Sequence, residues 1–135
     1  MAEEHIETIR RGIEAFNRRD IETMLEMVAP EVEWRPPAQL PGAGVYHGPD
    51  GVRQSVADLL EAFGDLRAEP ERFIDAGDRV IGLYWWRGRG SASGISVDAF
   101  DVPVGVIATM NALGKATDVR FFTTWEEALE IAGVE

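Results

Sequence analysis

Asp101 lies in the run VDAFDVPVGVIAT, between Phe100 and Val102. A carboxylate held among apolar side chains is disfavoured in its charged form, so its pKa rises and it can move a proton near neutrality. The competing reading puts Asp101 at a bend before Pro103, facing water, because an unpaired aspartate is rarely buried. Arg35 follows Trp34 and precedes Pro36 and Pro37. A guanidinium cannot act as a base. Turned inward it clamps a carboxylate, enolate or ketone oxygen, and turned outward it pairs with surface acids. His47, in VYHGPDG, can titrate at the mouth of a pocket, although a loop histidine is commonly just solvated. These three residues are the candidate catalytic groups. Trp34, Tyr46, Tyr84, Trp86, Ile107 and Phe121 are the candidate ligand-binding set. Tyr84 and Trp86 share one face of a strand and Trp85 takes the other, and such aromatics serve a core as readily as a flat ligand.

Other chemistries lack their residues. The chain has no cysteine, which removes disulfides, thiolate metal sites and a cysteine nucleophile. Its two histidines belong to no spaced His/Asp/Glu cluster, so no metal is expected. GRGSASG joins strands instead of opening a helix, so it is not a phosphate loop, and no Gly-x-Ser-x-Gly elbow occurs. No cofactor is called for. The net charge of −11 repels phosphate backbones, so nucleic acid is not an expected partner. The start, MAEEHIETIRR, is acidic where a signal peptide is basic and then apolar. No run reaches the length of about eighteen apolar residues that a membrane span needs. A soluble, cytoplasmic protein without a membrane partner is expected.

The 135 residues, 45% of them hydrophobic and 27% charged, suit one globular domain over 1–135 with a real core. Ile6, Ile9, Ile13 and Phe16 recur at helical spacing. Asp20 is placed to cap a second helix over Ile21 to Val28, closed by Pro30. Gly48-Pro49 opens a third helix with a stripe of Val52, Val56, Leu59, Leu60 and Phe63, stopped at Gly64. The pattern then becomes extended. Phe73-Ile74 and Val80 to Trp86 flank a Gly77-Asp78 turn, Val97 to Met110 forms a long strand, and Val119 to Phe122 closes the set. Thr124 with Glu127 makes a capping box for a last short helix ending at Gly133. Helices first and strands later predict an α+β fold, a strongly bent and mostly antiparallel sheet wrapped as a cone over three N-terminal helices. Phe16, Leu25, Leu60 and Phe63 are expected in its core. Cones of this kind form small-molecule pockets.

Three stretches resemble the nuclear transport factor 2-like superfamily, and within it the SnoaL-like group. IRRGIEAFNRRDIETMLEMVAPEVEWRPP is similar to the opening helices and first strand, YHGPDGVRQSV to the third helix, and LGKATDVRFFTTWEEALEIAG to the closing hairpin and helix. The resemblance implies a cystatin-like α+β barrel and a pocket for a ring ketone, polyketide-, steroid- or terpene-like molecule. It specifies fold more strongly than activity, because the superfamily holds cyclases, isomerases, hydrolases and non-catalytic binders. Arg35 stands where ketosteroid isomerases carry an aspartate base and limonene epoxide hydrolases an asparagine. Tyr84 and Trp86 stand at the hydrolases' Arg and Asp pair, and Phe121 at their third acid.

The strand Val97 to Met110 is apolar on both faces, and such a strand is buried on both. One face covers the cone and the other asks for a partner, in accord with the homodimer through the outer sheet face that the resemblance implies. A charge at Val104 is then expected to give monomers. Three functions fit this pattern: a cofactor-independent enzyme on a small hydrophobic molecule, a non-catalytic carrier of such a molecule, and a dimeric accessory protein.

Overall fold

The computed structural model describes residues 2–37, 44–88, 91–92, 95–96 and 100–133. Helix α1 (Ala2–Asn17) is followed by α2 (Ile21–Leu25), β1 (Val28–Arg35), β2 (Tyr46–His47) and α3 (Gly48–Ala62). Strands β3 (Arg67–Ala76), β4 (Arg79–Gly88), β5 (Ser91–Ala92), β6 (Ile95–Ser96), β7 (Phe100–Met110) and β8 (Ala116–Phe122) lead to α4 (Trp125–Ala132). Six strands form one sheet in the order β2-β1-β8-β7-β4-β3, and β5 and β6 pair separately. Only the β1–β8 contact is parallel among the described pairs. This is the expected α+β architecture with a curved sheet.

Local chemistry explains the boundaries. Asp20 caps α2 by accepting from the Thr23 amide at 3.2 Å and the Thr23 hydroxyl at 2.7 Å. Thr124 accepts from the Glu127 amide at 3.1 Å, and Gly133 ends α4 at φ 74°, a left-handed turn that glycine enters without penalty. Helix α2 stops at Leu25, not Val28, and β1 runs straight through Pro30. The register between β1 and β8 shifts between Val28 and Glu33. Pro30 sits inside that irregularity, where its missing N–H removes no ladder bond. Pro70 does the same in β3, whose register shifts between Pro70 and Arg72. Strand β3 is an edge strand and begins at Arg67, well before the Phe73 expected from sequence. Its exposed Glu71 and Arg72 mask the apolar alternation.

Helix α1 is tied to the sheet by polar groups. The Asn17 amide donates to the Ala68 carbonyl at 2.8 Å and accepts from the Ala68 N–H at 2.8 Å. Arg19, held at φ 60°, donates to the carbonyls of Phe16 at 3.0 Å, Gly64 at 3.0 Å and Leu66 at 2.6 Å. Between helices and sheet lies the main core, with Phe16, Val32, Val52, Leu66, Val80 and Val104 buried. Leu25, Leu60 and Phe63, expected fully inside, are half-buried and pack against its edge.

A second apolar layer lies on the other face of the sheet. Ile81, Leu83, Ile107 and Phe122 are covered there by Ala128 and Ala132 of α4. The outward side of β7 at Ile107 therefore finds its cover within the same chain and needs no second chain at this position. Val104 is fully buried in the inner core, so a charge there would damage folding and not test an interface. Docking of α4 depends on Gly105, where an added Cβ would press on the Ala128 methyl. Gly105→Ala is expected to lower stability by about 1–3 kcal/mol through overpacking. Urea denaturation measures this, and an unchanged midpoint would show that α4 does not need the gap.

Candidate functional site

An apolar cavity of about 90 Å³ lies between the helices and the concave face of the sheet. Its walls alternate with the strand pleat. Val28 and Trp34 come from β1, Tyr84 and Trp86 from β4, Val106 and Ala108 from β7, and Val119 and Phe121 from β8. Helix α3 contributes Ser55, Val56 and Leu59, while Gly12, Met24 and Met27 close the helical side and Pro36 and Pro37 border the end beyond β1. Phe121 packs against Trp34 at a ring-centroid distance of 5.0 Å and against Trp86 at 6.4 Å, both tilted. These three rings give the cavity flat aromatic surfaces.

No described lining residue carries a formal charge. The polar groups are the hydroxyls of Ser55 and Tyr84 and the indole N–H groups of Trp34 and Trp86. Burial is the main influence on Tyr84 and pushes its phenol far above its ordinary value, with the Trp86 side-chain hydrogen bond as the smaller, opposing cause. Tyr84 therefore stays neutral and can donate a proton into a hydrogen bond, but cannot serve as a base. Ser55 is the one buried polar residue among those described. Its position in the buried stripe of α3, beside Val52 and Val56, was a signal available in the sequence.

Four of the six ligand-binding candidates, Trp34, Tyr84, Trp86 and Phe121, come together on the cavity wall. Tyr46 packs at the margin of the main core, next to Gly51. Ile107 lies on the opposite sheet face beneath α4. The three catalytic candidates lie apart from the cavity. Asp101 is exposed, with its carboxylate 3.0 Å from Arg87 Nε. Arg35 alternates with the cavity-facing Trp34, so it projects to the outer face, where Nη2 donates to Glu33 at 2.9 Å and Nη1 lies 3.9 Å from Asp118. The Glu33 hydrogen bond first, then the Asp118 charge, raise the guanidinium above its ordinary value. His47 is exposed and sits opposite Glu33 in the β1–β2 register, at the N-terminal boundary of α3 without a side-chain cap bond. Arg35 and His47 thus share neighbouring rungs of the outer face, and Asp101 belongs to a separate ion-paired cluster. Among the described residues no three His, Asp or Glu side chains converge as metal ligands would.

Comparison with known proteins agrees with this architecture. The family profile described as SnoaL-like domain matches residues 9–126, and the chain belongs to that family. Among curated proteins no sequence matches it. Of solved structures, TerC, co-crystallised with polyporic acid, is 27% identical with a TM-score of 0.78, covering 96% of this chain and 98% of TerC. An NTF2-like protein from Burkholderia thailandensis is 26% identical with a TM-score of 0.77, over 97% of this chain and 98% of the other. A SnoaL-like polyketide cyclase from Jannaschia, so described, shares the fold at 20% identity and a TM-score of 0.78, over 98% and 92% of the two chains. No helix among the described residues is long and apolar enough to cross a membrane.

The burial of Tyr84 sets an alkaline limit. Its folded pKa lies above the ordinary 10.0, so the associated stability is complete below that value and is lost as the pH climbs beyond it. In an absorbance titration, wild type and Tyr84→Phe should gain the same tyrosinate signal until the wild type unfolds. An extra tyrosinate in native wild-type protein would show that Tyr84 is solvated.

Proposed function

We propose that the cavity binds a small, neutral, ring-containing molecule that carries a ketone-type oxygen, and that the protein acts as a binder or carrier of it. The observation that carries this reading is the lining itself: aromatic surfaces, neutral hydrogen-bond donors, and no charged group among the described residues. Flat rings gain from stacking and from leaving water. A carbonyl oxygen entering the cavity loses its water and needs a donor, which the Tyr84 and Ser55 hydroxyls can supply. A carboxylate would enter without a counter-charge, which is costly.

The same lining favours binding over proton transfer. General acid–base catalysis needs a titrating group within hydrogen-bond reach of the reacting atom. Asp101 is occupied by Arg87 and Arg35 by Glu33 on surfaces outside the cavity. TerC, co-crystallised with polyporic acid, lends support as a relative found with a small molecule.

A matched pair of probes tests the idea. α-Tetralone and tetralin share a ring system and differ in the carbonyl. Both are expected to quench tryptophan fluorescence saturably, because Trp34 and Trp86 line the cavity. Tyr84→Phe should weaken α-tetralone by roughly three- to tenfold, the usual value of one hydrogen bond, and leave tetralin unchanged. Asp101→Asn should alter neither. Absence of saturable binding, or equal losses for the two probes in Tyr84→Phe, would overturn the assignment.

A further inference from the structure

The cavity runs along β1 from Val28 to the prolines beyond Arg35, and one flexible side chain at the Val28 end is shared with the protein surface. Met27 lines the cavity and also lines a second, polar groove on the protein surface. It is the one described residue common to both. The groove lies between α1, the end of α2 and the turn joining β7 to β8, and its walls include His5, Arg11, Glu26 and Lys115.

The seat of Met27 is unusual. A Cβ at Gly12 would overlap the Met27 Sδ and Cε atoms, so the thioether lies in a notch that exists only because residue 12 has no side chain. The Met27 backbone is pinned: its N–H donates to the Met24 carbonyl at 3.2 Å, and its carbonyl accepts from the Ala116 N–H at 2.8 Å. The thioether itself is held by packing alone. An unbranched methionine has several rotatable bonds and low cost of rearrangement. His5, on the α1 side of the groove, has its Nδ1 buried without a hydrogen-bond partner, a polar atom whose desolvation is uncompensated.

We infer that Met27 is a movable plug and that the groove is a second subsite, which takes the polar end of a chain attached to the ring held in the cavity. The ligand class is therefore an apolar ring ketone with a flexible chain tipped by a hydroxyl. A hydroxyl suits the far end because it can both donate and accept, and the groove walls hold donors in Arg11 and Lys115 and an acceptor in Glu26. With Met27 in its notch the site ends at the ring. With Met27 swung aside the chain passes between Gly12 and the start of β1, leaving its tip among His5, Arg11 and Glu26.

This inference rests on the ring-binding reading above, and its test separates the two. The probes are α-tetralone and an α-tetralone bearing a hydroxyhexyl chain, each followed by tryptophan quenching. Met27→Ala should tighten the long probe by about tenfold relative to whatever change it makes in α-tetralone affinity, since the chain's methylenes then leave water without displacing the plug. Gly12→Ala pushes the thioether out of its notch and should favour the long probe in the same direction. His5→Phe in the Met27→Ala background should remove part of that gain and spare α-tetralone. If both probes respond equally to Met27→Ala and to Gly12→Ala, the groove is not a subsite. If α-tetralone itself fails to bind the unmodified protein, the ring-binding reading fails first and takes this one with it.

Discussion

The two hydrogen bonds between the Asn17 amide and the backbone of Ala68 hold α1 across the open side of the sheet. A bent sheet alone would expose its concave apolar face, and α1 alone could bury its stripe in several orientations. The amide removes that freedom, because it satisfies a donor and an acceptor of one residue on an edge strand that would otherwise lack partners. Arg19 extends the same attachment by collecting carbonyls from α1 and from the segment after α3. Ala68 is itself a cavity-lining residue. The contact that fastens the helical layer is thus part of the cavity wall.

The void and its chemistry follow from that arrangement. Inward positions on the strands are mostly apolar and include the rings of Trp34, Trp86 and Phe121, and the helices face them with Gly12 and Ser55 set among Ile9, Ile13, Phe16, Val56 and Leu59. Space remains at Gly12 and Ser55, where a tighter core would have placed larger side chains. Tyr84 and Ser55 supply the hydroxyls of the described wall, each neutral where a charged group would require a counter-ion.

Fold and site were legible to different depths. Helices α1, α3 and α4 could be read because their apolar spacing, the glycine-proline start and the Thr124 cap all act locally. The path of β1 through Pro30 could not, since a proline ends a helix by local rules but is harmless inside a register shift, which only the paired strand reveals. The edge strand β3 was masked by its charges for the same reason. In the site, Trp34, Tyr84, Trp86 and Phe121 follow from strand alternation once the inner face is chosen. Arg35 and Ile107 turn outward by that same alternation. For Asp101 the apolar run left a buried and a water-facing reading open, and its register partner Arg87, invisible in the linear sequence, settles it on the surface with an ion pair. Met27 and Gly12 gave no sequence signal, because a notch and its occupant meet only in the folded chain.

Tyr84 serves two structures at once. Its side chain lines the cavity, and its backbone carbonyl accepts the Trp125 indole N–H at 3.1 Å from the opposite face of the sheet. Trp125 is the first residue of α4 and packs edge-on against Trp85 at 5.1 Å. Strand β4 therefore works as a lever one residue thick, with cavity contents on one arm and the last helix on the other. Were a bound molecule to hold Tyr84 more firmly in place, the seated helix would be favoured with it, and the helix would return the same free energy to the molecule, as reciprocity between coupled equilibria requires.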